Sequence, residues 1–117
     1  MSQDIKKYVD VDGALARMRG NKKLYVKMLG MFLAGKEFEN FEAAIAENDL
    51  GKAGDLAHTI KGVTGNLSLT ALFEQSAALM QQLREGTFDQ ALVDAYRETY
   101  ALTRGFVTQT IEQLGAE

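Results

Sequence analysis

His58 is the only histidine in the 117 residues, and the residues around it are spaced as one face of a helix. Free imidazole titrates near pH 6.5, so at neutral pH most of it is uncharged and offers a nitrogen lone pair as nucleophile or base. Lys61 follows one turn later, where an ammonium would attract a phosphoryl group or a carboxylate brought to the ring. Gly51 and Gly54 lie seven and four residues before the histidine, and Gly62 and Gly65 four and seven after it, directly below and above it on a helix. A glycine inside a helix costs about 0.8 to 1 kcal/mol relative to alanine, so four cost about 3 to 4 kcal/mol. A small domain has only about 5 to 15 kcal/mol of net stability. That cost predicts a partner that comes very close to His58, with Gly51, Gly54, Gly62 and Gly65 as its docking strip.

Read at about 100° per residue, Leu50, Ala53, Leu56, Ala57, Ile60, Val63, Thr64 and Leu67 form one apolar stripe. His58 then points roughly 160° from the centre of that stripe, into solvent. A lone histidine on a helix is commonly just a polar surface residue, but the glycines and Lys61 weigh against that here. Gln75, Gln81 and Gln82 read as surface residues and not as ligands of the ring. A hydrolase using His58 as general base is disfavoured, since no nucleophile stands beside it in sequence and its face is too open to exclude water. A metal site is disfavoured by a single histidine and no cysteine. The chain lacks a G-x-x-x-x-G-K-S/T phosphate loop and is too short for a kinase ATP domain.

The segment Ala57-His58-Thr59-Ile60-Lys61-Gly62 resembles the A-H-x-L-K-G core motif of the histidine-containing phosphotransfer (HPt) domains of bacterial phosphorelays. Ala44, Ala46, Asn48, Asp49 and Leu50 are similar to the family's helix-turn-helix lead-in, and Arg17 to Phe32 to the start of its second helix, so the resemblance spans nearly the whole chain. Two positions depart from the family's pattern: Ser68, where glycine is usual ten residues after the histidine, which bears on where the helix ends, and Met80, where Glu or Gln is often found, which bears on the hydrogen-bond partner of the ring. The resemblance implies transfer of a phosphoryl group from an aspartyl phosphate to His58 and on to another aspartate, with Lys61 neutralising charge. It implies receiver domains of hybrid histidine kinases and response regulators as partners. It further implies a phosphocarrier without an ATP site or cofactor of its own, the magnesium ion belonging to the receiver. A helical adaptor that binds receivers without carrying phosphate is the rival reading.

The elements that must position these residues are helical. Proline is absent, which removes the commonest helix breaker. The 46% of hydrophobic residues is enough for one core, so residues 1–117 are expected to form a single domain. No run reaches the roughly 18 apolar residues of a membrane span, and the N-terminus lacks a signal-peptide core. A net charge of −3 with both signs interspersed argues against a nucleic-acid surface. A cytoplasmic monomer is the expectation, and the absence of cysteine is compatible with a reducing compartment.

In order, residues 1–9 lack periodicity and read as a loose tail. A short helix follows, capped by Asp10 or Asp12, with Leu15 and Met18 inward and Gly20 at its end. Asn21 caps a long helix to about Glu47 with Leu24, Met28, Met31, Phe38, Phe41 and Ile45 in period. Tyr25, Leu29, Phe32 and Leu33 fall outside that stripe, to be covered by the short helix or else left as a docking patch. Asp49 caps the His58 helix, which ends near Asn66 to Ser68. Ser68 or Thr70 caps the next, which buries Leu72, Phe73, Ser76, Leu79, Met80 and Leu83 and stops at Gly86. Thr87 and Gln90 form a capping-box signature for the last helix, with Phe88, Leu92, Ala95, Thr99, Leu102, Phe106 and Thr110 along one side. The fold expected is all-α, an antiparallel up-down-up-down four-helix bundle with a short extra N-terminal helix across it.

Overall fold

A computed structural model describes residues 2–116, with the side chains of residues 5–116, and these residues form seven helices and no strand. They are α1 (Ser2–Tyr8), α2 (Val11–Arg17), α3 (Lys22–Ala34), α4 (Glu37–Ala46), α5 (Leu50–Asn66), α6 (Thr70–Arg84) and α7 (Gln90–Gly115). Successive helices α4 to α7 are joined by short connections and pack on their neighbours, while α3 packs on α7 and closes the ring. With α3 and α4 as one interrupted rod, this is the expected all-α antiparallel bundle. None of the described helices is long and apolar enough to cross a membrane.

Local chemistry sets several helix ends as the residue types require. The carboxylate of Asp10 accepts from Gly13 N at 3.2 Å, the side chain of Asn21 from Leu24 N at 3.0 Å, and that of Asp49 from Lys52 N at 3.1 Å. Gly86 follows α6 at φ +87°, a backbone state that favours glycine.

Other boundaries differ from the sequence expectation. Residues 1–9 are not a loose tail: Ser2–Tyr8 is helical, while Met1 lies outside the described residues. Packing supplies what the local pattern lacks, because Val9 is buried, Tyr8 stacks on Phe106 at 5.3 Å and Asp10 N donates to Ser68 O at 2.9 Å. The long second helix is broken at Gly35, whose extended backbone (φ −66°, ψ 154°) ends α3, and a Cβ there would meet the Glu37 carboxylate. The break lets the two halves rotate independently. Tyr25 and Leu29 are therefore the fully buried residues of α3, while Leu24 is 42% and Met31 64% exposed, and α4 buries Phe38, Phe41 and Ala44.

Helix α6 is capped by Leu69 without a side-chain hydrogen bond, and not by Ser68 or Thr70. Helix α7 is capped by Asp89, which accepts from Ala91 N at 2.9 Å, so the Thr87–Gln90 box is not formed. The buried side of α7 is Val93, Tyr96, Thr99, Thr103, Val107 and Thr110, and Leu102 is 48% exposed. Tyr96 sets this rotation: its ring lies 5.2 Å from that of Phe41, edge to face, and its hydroxyl is 2.6 Å from Ser76 Oγ.

The interior has two centres. One joins α4 to α7 around Phe41, Ile60, Leu72, Leu79 and Tyr96, with Phe38 stacked on Tyr100 at 3.8 Å. The other joins the N-terminal helices, α3 and the α5–α6 turn through Val9, Ala14, Tyr25, Leu29, Leu67, Leu69 and Val107. There Tyr25 Oη donates to Leu67 O at 2.8 Å, and Arg17 donates to Ser68 Oγ. The short N-terminal helices thus clamp the end of the His58 helix and cover Tyr25 and Leu29.

Candidate functional site

Helix α5 is packed on two sides, by α4 and by α6. Its buried residues are Ala53, Gly54, Ala57, Ile60 and Thr64, a run of mostly small side chains that lets the flanking helices close in. Thr64 is buried without loss because its hydroxyl donates to Ile60 O at 2.8 Å. His58 and Thr59 are exposed, and Lys61 is half-buried one turn on. Lys61 forms no ion pair with any described residue, which leaves its ammonium available to an incoming anion.

The four glycines do not form one bare outward strip. Gly51 and Gly62 are open: a Cβ at position 62 would meet nothing within 4 Å, and one at 51 only a carboxylate oxygen of Asp49 at 3.9 Å. Gly54 is buried, and a Cβ there would stand 3.4 Å from Leu83 Cβ. At Gly65 it would stand 3.1 Å from the ring of Phe73. The large apolar residues marked only part of the buried arc. The arc extends to the glycine side because α6 packs there, while Val63, inside the expected stripe, is 36% exposed.

This rotation also places the ring. His58 does not stand alone on open backbone; its Nδ1 lies 3.4 Å from Sδ of Met80 on α6. The pairs Gly54–Leu83, His58–Met80 and Gly65–Phe73 fix the antiparallel register of α5 on α6. His58 and Met80 each lie eleven residues from Leu69, so the hairpin of two helices about that turn sets them opposite each other, at the position the resemblance had connected with the ring. Two of the three glutamines are occupied elsewhere, Gln81 Nε2 donating to Glu85 at 3.2 Å and Gln82 Oε1 accepting from Asp89 N at 2.8 Å, whereas Gln75 is not a surface residue as expected but half-buried, its Oε1 buried without a hydrogen-bond partner among the described residues.

On the opposite flank of α5, Met28, Met31, Phe32, Val63 and Leu67, with the polar Glu37 and Asn66, line a mostly apolar groove of about 220 Å³. Chemically, the histidine side of α5 presents an accessible imidazole, a nearby ammonium and open backbone at Gly51 and Gly62. A surface of that shape is open enough for a second protein to reach the imidazole.

Searches of curated proteins and of solved structures each return no significant match. A family model described as the Hpt domain matches residues 27–117, which include the whole of α4 to α7 and the His58 motif, and the chain belongs to the Hpt domain family.

Proposed function

We propose that this chain is a phosphorelay intermediate that takes a phosphoryl group onto His58 from an aspartyl phosphate and passes it to the aspartate of a response regulator. The observation that carries the reading is the exposed His58 on α5, with open backbone at Gly62 one turn above it and Lys61 on its flank. Membership of the Hpt family supports the same chemistry. In the transfer, an imidazole lone pair attacks phosphorus in line, the P–O bond to the aspartyl carboxyl breaks, and the carboxylate leaves with its electron pair. Such a loose transition state asks chiefly for placement and charge neutralisation. His58 supplies the nucleophile and Lys61 a cation. The acidic pocket and the magnesium ion belong to the receiver.

On this reading the chain is a carrier without its own ATP site, working as a cytoplasmic monomer between receiver domains of hybrid histidine kinases and response regulators. The test is incubation with phosphorylated receiver domains, using wild type and His58→Gln. Acid-labile, base-stable label is expected on wild type and none on the variant, whose melting temperature stays near wild type because an exposed side chain adds little to packing. Receiver binding without label on wild type would make the chain an adaptor instead.

A further inference from the structure

We infer that the end of the bundle built from α1, α2 and the start of α3 is a docking surface for anionic lipid, so that the domain rests on a bilayer by that end and leaves the His58 face open. The carrying observation is a division of charge that the net figure of −3 averages away. Residues 1–36 hold eight lysines and arginines against three acidic residues, whereas residues 37–117 hold five against thirteen. The fold gathers the first group in space. The α1–α2 connection sits on the α5–α6 turn, where Asp10 N donates to Ser68 O at 2.9 Å. Lys22, Lys23 and Val26 at the start of α3 line a hollow with Leu114 and Gly115 at the end of α7. Lys6 and Lys7 lie in the last turn of α1 beside Tyr8, whose ring stacks on Phe106 of α7.

Lys6, Lys7, Arg19, Lys23 and Lys27 are all exposed and form no ion pair with any described residue. The acids at this end are fewer: Asp12 and Asp10 at the start of α2, the latter engaged as a helix cap, and Glu112 near the end of α7. The opposite end is acidic. Its two turns carry Glu47, Asp49, Glu85 and Asp89, and Arg97 there is held by Glu42 and Asp94 at 2.8 and 3.1 Å. The molecule is 45 Å long and charge is screened over about 8 Å at physiological salt, so the acidic end does not cancel the field of the basic one.

The residue types favour a bilayer over other polyanions. Most of the exposed cations are lysines, compact charges on flexible stems that can follow a fluid array of headgroups, and not the planar forks that pair with fixed phosphates. Leu24 is 42% exposed beside Lys23 and one turn from Lys27. At a lipid interface such a side chain sinks below the headgroups while the ammonium groups stay level with them. Against the sugar-phosphate backbone of a nucleic acid it has no counterpart. His58 lies eight residues, about 12 Å, from Asn66 at the end of α5 nearest the lipid, so the imidazole stays clear of the surface. Lipid docking of this kind does not depend on the phosphocarrier reading.

Flotation of the intact chain with vesicles of phosphatidylglycerol and phosphatidylcholine in equal parts, and with vesicles of phosphatidylcholine alone, tests this. Binding is expected to the first only, and it should weaken as salt is raised. One cation near such a surface is worth about fivefold in partitioning, so the double variant Lys23→Gln, Lys27→Gln should bind about 25-fold more weakly. Arg84→Gln, at the acidic end, should bind as wild type does, and Leu24→Ser should bind less without altering the salt dependence. All four positions are exposed, so the variants keep the fold, which circular dichroism checks. No binding by wild type, equal binding to both vesicles, or an unchanged double lysine variant overturns the inference. So does a preference for duplex DNA over the anionic vesicles. Self-association by ultracentrifugation that replaces vesicle binding and is lost in the double variant also overturns it, and makes the acidic end of a second copy the partner.

Discussion

Gly54 of α5 faces Leu83 of α6 at van der Waals range: a methyl group at position 54 would stand 3.4 Å from Leu83 Cβ, while one at Gly62, on the same helix, would meet nothing within 4 Å. Two glycines that look alike in sequence therefore differ in what they permit. Gly62→Leu is expected to stabilise the domain by several tenths of a kcal/mol up to about 1 kcal/mol, because leucine is the better helix former. On the proposed function it also obstructs the receiver, so transfer falls as the melting temperature rises. Gly54→Leu forces a branched side chain against α6 and is expected to cost about 1 to 3 kcal/mol. Thermal melts of both variants test this, and a raised melting temperature for Gly54→Leu would contradict the packing described.

Lys61→Ala is expected to leave the fold intact and slow phosphoryl transfer. An ammonium about 4 Å from the developing charge is worth about 1 kcal/mol in a water-like medium, or roughly fivefold in rate. Rapid-quench measurement of label passing from a phosphorylated receiver reads this directly. Unchanged kinetics would remove Lys61 from the site.

Burial holds the phenols of Tyr25 and Tyr96 well above the usual tyrosine range, with nearby Asp10 adding to the shift at Tyr25. A raised folded-state pKa favours the neutral phenol, so the folded protein holds more protons than the unfolded one above the unfolded value of about 10. The stabilisation is complete below about pH 10 and is lost as pH rises beyond it, by up to about 1.4 kcal/mol per pH unit for each phenol. Urea unfolding across that range should show the decline. Tyr96→Phe should flatten the slope by roughly one phenol's share, since Ser76 keeps its bond to Leu72 O at 2.8 Å.

Ser68 sits at φ +57°, a left-handed backbone state that a non-glycine residue occupies at a cost of about 1 to 2 kcal/mol, and its hydroxyl accepts from Arg17. Arg17→Ala is expected to cost about 1 kcal/mol in the native chain and markedly less in Ser68→Gly, where the acceptor is gone and the backbone is relaxed. A double-mutant cycle by urea unfolding measures the coupling, and equal effects of Arg17→Ala in both backgrounds would show that the contact contributes nothing.

What the sequence determined by itself is the chemistry that acts over one helical turn. The caps at Asn21 and Asp49, the choice between Asp10 and Asp12 at the start of α2, the stop at Gly86, the buried side of α6 apart from the half-buried Phe73, and the all-helical class follow from neighbouring residue types, because caps and apolar periods are local. The motif around His58 was legible for the same reason. Rotation of the helices about their own axes was not, since it depends on which neighbour lies across the interface. Glycine carries no side chain to mark a buried face, so Gly54 and Gly65 could not announce that α6 packs on their side of α5. The break at Gly35 reset the phase of α3, and the mixed Thr, Val and Tyr content of α7 left its inward side to be chosen by Tyr96. The resemblance had connected position 80 with the ring, but the 3.4 Å contact of Met80 with His58 was decided by the tertiary register alone, because a contact between residues on two antiparallel helices exists only once both have been rotated and aligned.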